Sequence, residues 1–189
     1  MDTLKSQPTY SEADLEEVLV TPAQIDARVE NLASEINAVY KDDEVTVVCV
    51  LSGALVFTAD LIRKLEAPTR LDFIRADSYG NDTRPSGPPR IAHALKTDIV
   101  GKRVLIVDDI LDTGNTLASI VEHLQAAKPA SIRTCVLLDK KERRQASIEA
   151  DFVGFEIPNA FVVGYGLDFA ESYRQLPCIG ALRREFQTQ

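Results

Sequence analysis

A chain of 189 residues has length for one domain with a full hydrophobic core, and its 45% hydrophobic and 26% charged content is ordinary for a soluble globular protein. A net charge of −8 argues against a nucleic-acid partner, because phosphate backbones need clustered Lys and Arg, and the one basic run, Lys140-Lys141-Glu142-Arg143-Arg144, is interrupted by an acid. No apolar run approaches membrane-spanning length, and an N-terminus carrying Asp2, Lys5, Pro8 and Glu12 does not read as a signal peptide. Cys49, Cys135 and Cys178 have no metal-ligand spacing and read as buried thiols of a reducing compartment, so the expected location is cytoplasmic, with no membrane partner.

Residues 1–18 are polar and predict a partly ordered extension of a single domain, 1–189. Thr21-Pro22 then reads as a helix N-cap with proline in the first turn, and Ile25, Val29, Leu32, Ile36 and Val39 predict one apolar helical stripe. Val45–Leu51 predicts a strand that Ser52-Gly53 breaks, Leu55–Leu65 a helix, and Arg70–Ala76 a second strand. Asn81–Pro89, dense in Pro, Gly, Asn, Asp and Ser, predicts a mobile loop, with a short strand over Ile91–Lys96 beyond it. Ile132–Leu138, Phe152–Ile157 and Phe161–Val163 predict further strands, and Ile179–Leu182 closes the sheet or a small hood. Strands alternating with helices predict an α/β fold with a mainly parallel, twisted sheet covered by helices on both faces. His93 and His123 read as surface or partly packed residues.

The segment Val104–Leu117 carries the most chemistry. Val104-Leu105-Ile106-Val107 predicts a buried strand, which runs into Asp108, Asp109 and Asp112 as an acidic loop and then into Thr113-Gly114-Asn115-Thr116. Leu117, Ile120, Val121 and Leu124 follow at helical spacing. In an open α/β sheet, ligands bind where strand ends meet helix starts. Hydroxyls and backbone N–H groups of Thr113–Thr116 at a helix N-terminus make a cradle for a phosphate monoester. Asp108 and Asp109 suit sugar hydroxyls or a hydrated Mg²⁺. A phosphate beside a diol describes a phosphorylated ribose.

This segment resembles the phosphoribosyl-pyrophosphate (PRPP) binding motif of the type I phosphoribosyltransferases. Leu51-Ser52-Gly53, Asp77-Ser78-Tyr79-Gly80, Leu137-Leu138-Asp139-Lys140 and the block from Asp151 through Asp168 are similar to the 6-oxopurine branch, the hypoxanthine-guanine phosphoribosyltransferases. The likeness runs from about Val20 to Leu182. It implies the type I fold with a small hood and Mg²⁺-dependent transfer of the phosphoribosyl group from PRPP to hypoxanthine or guanine. Pyrophosphate would be released, and the enzyme would be a homodimer or homotetramer. A xanthine-preferring relative and a PRPP-sensing, nucleic-acid-binding regulator on the same fold are the alternatives.

Residue by residue, the resemblance implies Asp112 as general base or acid, and Asp108, Asp109, Thr113, Gly114, Asn115 and Thr116 around the ribose phosphate. Leu51, Ser52, Gly53 and Arg174 would meet pyrophosphate, with Ser52 where the family often has lysine and a backbone amide of an unusual, often cis, peptide making the contact. Lys140, Phe161, Val162 and Asp168 would form the purine site: Lys140 on the exocyclic oxygen, Phe161 stacking, Val162 offering backbone groups. Mg²⁺ would be held by Asp168, Asp108 and Asp109. Ser78 and Tyr79 would belong to a lid.

Overall fold

Val45–Val50, written Val-Thr-Val-Val-Cys-Val, is buried at every position, as a strand covered on both faces must be. The computed structural model describes residues 8–77, 90–93 and 95–187 and places this strand inside a six-stranded sheet. In chain order the strands are β1 (Leu15–Val20), β2 (Val45–Val50), β3 (Thr69–Asp77), β4 (Arg90–His93), β5 (Arg103–Leu111), β6 (Ser131–Asp139), β7 (Phe152–Glu156), β8 (Val162–Val163) and β9 (Ile179–Leu182). The helices are α1 (Pro22–Tyr40), α2 (Leu55–Ile62) and α3 (Asn115–Gln125). The large sheet runs β4-β3-β2-β5-β6-β7, and its pairs are parallel except β3 with β4.

Successive side chains of a strand point to opposite faces, and both faces here are packed. Val45 and Val47 of β2, Leu105 and Val107 of β5, and Cys135 and Leu137 of β6 join one apolar cluster with α1 and α2. Val48, Val50, Val104, Ile106 and Val136 join a second cluster with Leu117, Ile120 and Leu124 of α3. The three cysteines are free and buried.

α1 begins with a capping box: Thr21 N–H donates to Gln24 Oε1 at 2.8 Å, and Gln24 N–H donates to Thr21 Oγ1 at 3.4 Å. Its buried stripe is Ile25, Val29, Leu32, Ile36 and Tyr40. Val39, assigned to that stripe from sequence, is 38% exposed, whereas Tyr40, four residues after Ile36, is 1% exposed. Tyr40 donates its hydroxyl to Val104 C=O at 3.4 Å.

A small antiparallel sheet, β1-β9-β8, forms the hood. Its strand β1 takes up the end of the stretch 1–18, expected from sequence to be partly ordered: Leu15 pairs with Leu182 and Val20 with Ile179. Asp14, buried just before β1, accepts from Thr9 Oγ1 at 2.9 Å and from Tyr173 OH at 3.2 Å. Two other boundaries move. α2 ends at Ile62, and Lys64 and Leu65 close tight turns with N–H bonds to Leu61 and Ile62. β5 continues past Val107 to Leu111, so Asp108 and Asp109 belong to a strand and not to a loop. Among the described residues, no helix is long and apolar enough to cross a membrane. The loop Asn81–Pro89 lies outside the described residues.

Asp72 of β3 ties the approach to β5 back onto the sheet. Its buried carboxylate accepts from Lys96 N at 2.8 Å, Thr97 N at 2.6 Å and Phe73 N at 2.8 Å. Burial alone would raise its pKa, but these N–H groups hold the carboxyl below its ordinary value. Asp72→Ala is expected to lower the unfolding free energy by about 2 kcal/mol in urea titrations at neutral pH, because buried N–H groups lose their acceptor. A depressed folded pKa gives stability that is complete above the unfolded pKa and is lost as pH falls through the folded one. The gap between variant and parent is therefore expected to narrow in acid.

Candidate active site

β2 and β5 are parallel neighbours, with Cys49 beside Val107, so the chain leaves both strands at the same end of the sheet. A cavity of about 350 Å³ opens there. Its lining includes Leu51, Ser52 and Gly53 from behind β2, and Asp108, Asp109 and Asp112 from β5 and just beyond it. Thr113, Gly114 and Thr116 line it at the start of α3, and Asp168 and Arg174 come from the hood side.

Two helices start at this cavity, and neither start carries a side-chain cap. Ala54 occupies the N-cap of α2, and Gly114, with φ of 84°, that of α3. Only glycine adopts that backbone conformation without strain, and a methyl group at Gly114 would meet Ile148 Cγ2 at 2.8 Å. Leu55 N–H donates to Ser52 C=O at 3.1 Å and Asn115 N–H to Thr113 Oγ1 at 3.4 Å, but with no capping side chain at Ala54 or Gly114 the rest of each first turn and its dipole are left for an anion, in contrast to the capping box of α1. Thr113 C=O is bonded from behind by Gln145 N at 2.9 Å and Ala146 N at 3.0 Å. Asn115 does not line the cavity; its side chain donates to Gln145 Oε1 at 3.4 Å. The peptide between Leu51 and Ser52 is cis.

Asp108 is buried, and its Oδ1 accepts from Asp109 N at 2.9 Å; Asp109 Oδ1 accepts from Ile110 N at 2.9 Å. Burial, with the adjacent Asp109 charge, pushes the Asp108 carboxyl well above the usual range. Burial raises Asp109 as well; its hydrogen bonds with the Asp108 carboxyl and with Ile110 N–H offset part of this, and Arg174 adds a smaller opposing contribution. Gly53 makes this crowding workable: a methyl group there would fall 1.7 Å from Asp109 Oδ2. Arg174 is held between two acids, with Nη1 2.9 Å from Asp168 Oδ1 and Nη2 2.9 Å from Glu171 Oε2.

Lys140, Phe161 and Val162 form a second group beside the cavity. Lys140 is buried at the end of β6 and donates from Nζ to Ala160 C=O at 2.6 Å. Burial lowers its pKa, and the Asp112 charge opposes that shift. Phe161 keeps 43% of its surface exposed, and its ring meets Phe169 edge-on at 5.4 Å. Leu182 N–H donates to Phe161 C=O at 3.0 Å, and β8 is an edge strand. The alternation of an antiparallel pair therefore turns the N–H and C=O of Val162 away from β9, toward the open edge. Ser78 and Tyr79 lie outside the described residues.

Sequence reasoning missed Glu171, Arg143 and the Asp139–Arg144 pair. Asp139 is buried, Arg144 pairs with it, and Arg144 Nη1 donates to Ile148 C=O at 3.1 Å behind the phosphate cradle. The only signal was a charged run following a strand, which reads as solvated.

A family profile for the phosphoribosyl transferase domain matches residues 17–170. A hypoxanthine-guanine phosphoribosyltransferase of Bacillus subtilis (strain 168) is 46% identical over 170 residues, 90% of this chain and 94% of that protein. One from Aquifex aeolicus (strain VF5) is 47% identical over 161 residues, covering 85% and 90%. The crystal structure of a hypoxanthine phosphoribosyltransferase from Staphylococcus aureus superposes with a TM-score of 0.90 at 42% identity, covering 94% of this chain and 97% of that one. The chain belongs to the phosphoribosyltransferase family and has its type I fold.

Two expected outcomes test the geometry. Gly53→Ala displaces the Asp109 carboxylate, and steady-state kinetics are expected to show kcat/KM for PRPP lower by about a hundredfold. Asp108→Asn removes a charge the folded protein holds at a cost. Differential scanning fluorimetry without ligands is expected to find it about 2–4 °C more stable at neutral pH. Because the folded pKa is raised, protonation removes that cost in the parent, so the advantage shrinks as pH falls.

Proposed function

We propose that the protein transfers the phosphoribosyl group of PRPP to hypoxanthine or guanine, giving IMP or GMP and pyrophosphate. The observation that carries this reading is the cavity where two helix starts without capping side chains face the buried Asp108 and the half-buried Asp109 and Asp112, beside the buried Lys140. The names of the relatives in Bacillus subtilis and Aquifex aeolicus support it.

Thr113–Thr116 hold the 5′-phosphate on the α3 N-terminus, and Asp108 and Asp109 accept hydrogen bonds from the ribose hydroxyls. Leu51–Gly53 and Arg174 receive the pyrophosphate. To do so Arg174 exchanges part of its contact with Asp168 and Glu171 for phosphate oxygens. Asp112 accepts the imidazole proton of the purine as the glycosidic bond forms. Carboxylates near the anomeric carbon stabilise the positive charge that develops there.

The donor set fits Mg²⁺. Asp108, Asp109 and Asp168 offer hard oxygens, and the described residues contain no cluster of three or more protein ligands. Mg²⁺ is characteristically held through one or two carboxylates and substrate phosphates. When bound it neutralises the leaving pyrophosphate.

Lys140 has donors only, so it pairs with the exocyclic oxygen of a 6-oxopurine and opposes the amino group of adenine. The backbone edge of Val162 supplies the complementary donor and acceptor. Unpaired polar groups in a closed site reject an analogue by about ten-thousandfold. A spectrophotometric panel with PRPP and Mg²⁺ is expected to show turnover of hypoxanthine and guanine, weak turnover of xanthine and none of adenine. Asp112→Asn is expected to lower turnover of hypoxanthine by about a hundredfold with little change in PRPP affinity. Efficient use of adenine would overturn the assignment of Lys140.

A further inference from the structure

The charged run after β6 divides its two arginines between different tasks. Arg144 turns inward to Asp139 and Ile148 C=O. Arg143, half-exposed at the end of the 3-10 turn Lys141–Arg143, turns the other way, with Nη1 3.2 Å from Asp112 Oδ2. The second oxygen of that carboxylate, Oδ1, is buried and has no hydrogen-bond partner among the described residues. One oxygen is therefore occupied by a guanidinium, and the other holds unspent acceptor capacity. A buried acceptor left unmade is a standing penalty that an arriving N–H relieves.

We infer that Arg143 is a positioning residue for Asp112. It grips Oδ2 and fixes the orientation of the carboxylate that takes the proton from the purine. The inference rests on the reading of Asp112 as the proton acceptor. A proton moves from the imidazole N–H of the base to Asp112 while the ring nitrogen bonds to the anomeric carbon and the pyrophosphate leaves with the electron pair of the broken C–O bond.

The charges around Asp112 are few. Lys140 acts on it from the end of β6, Arg143 from the turn beyond, and Asp108 and Asp109 precede it on β5. Arg143 and Lys140 repel each other, and both attract Asp112. Removing the guanidinium frees the Asp112 carboxylate to rotate, so the step in which it takes the proton slows while substrate binding is left in place.

The experiment compares the parent, Arg143→Met, Arg143→Lys and Asp112→Asn. Each is assayed for kcat and for the KM of hypoxanthine and of PRPP in the presence of Mg²⁺, with circular dichroism to confirm folding. Arg143→Met is expected to lower kcat about tenfold with both KM values changed by less than about twofold. Arg143→Lys, which keeps a charged donor at that place, is expected to recover most of the loss. Arg143→Gln serves as the neutral variant if the Met protein does not fold. An unchanged kcat in the folded neutral variant overturns the proposal, and so does a loss in which kcat falls and both KM values rise together, which is what a merely structural role produces. Asp112→Asn separates the two readings. Retention of more than about a tenth of the turnover removes Asp112 as the base, and Arg143 with it; a loss of about a hundredfold with an unchanged kcat in the Arg143 variant removes Arg143 alone.

Discussion

The site depends on one packing constraint: β2 and β5 lie side by side in parallel, and the chain leaves them toward opposite edges of the sheet. From β2 the chain crosses to β3 on one side, and from β5 it crosses to β6 on the other. Crossovers between parallel strands are right-handed, so the helices after β2 and β5 must fall on opposite faces. α2 packs with the cluster that contains Val47 and Val107, and α3 with the one that contains Val48 and Ile106. Their N-termini consequently approach the same cleft from above and below. No other pair of neighbouring strands in this order creates that cleft, which is why the chemistry sits at β2 and β5. Beyond the paired stretch of β2 and β5, Gly53 packs against Asp109 across the cleft.

Electrostatics then explains how a chain of net charge −8 provides for a polyanionic substrate. The positive ends of two helices cost no net charge and are not screened by neighbouring acids in the way a lysine would be. Arg174 is compensated by Asp168 and Glu171 in the free protein, so its charge is in place without standing unpaired. The buried Asp108 and the half-buried Asp109 carry the opposite strain. Their raised pKa values mean that the folded protein resists their ionisation until hydroxyl donors or a cation arrive. The free protein gives up stability at Asp108 and Asp109 that ligand binding returns.

Much of this was legible in the sequence, for physical reasons that also mark where it stopped being so. Continuous apolar runs such as Val45–Val50 identify strands buried on both faces, and Thr21-Pro22 with Gln24 identifies a helix start. β1 escaped because its burial does not alternate. Leu15 and Val20 are buried with exposed residues between them, and its pairing with β9 shifts register twice. Asp108 and Asp109 looked like a loop because charged residues are rare in buried strands, yet pairing with β6 continues as far as Leu111 beside Asp139. Tyr40 in place of Val39 is a matter of helical phase, settled by which residue reaches β5. Arg143 and Arg144 carry no local pattern at all; their partners, Asp112 and Asp139, are brought near only by the fold.

The purine side of the site shows why some functional positions leave no chemical trace in a sequence. Val162 acts, in the reading proposed above, through its N–H and C=O, which every residue but proline possesses. What matters there is which way the backbone faces. That is set by the register of β8 on β9, and hence by Phe161 C=O being taken by Leu182 N–H. A slip of one residue would turn the groups of Val162 toward β9 and present those of its neighbours instead. The side chains around it anchor that register: Val163 is buried in the hood cluster, and Phe161 is braced edge-on by Phe169, the residue after Asp168. The ring proposed to stack on the base and the Asp168 carboxylate proposed to help hold Mg²⁺ thus share one short segment of chain.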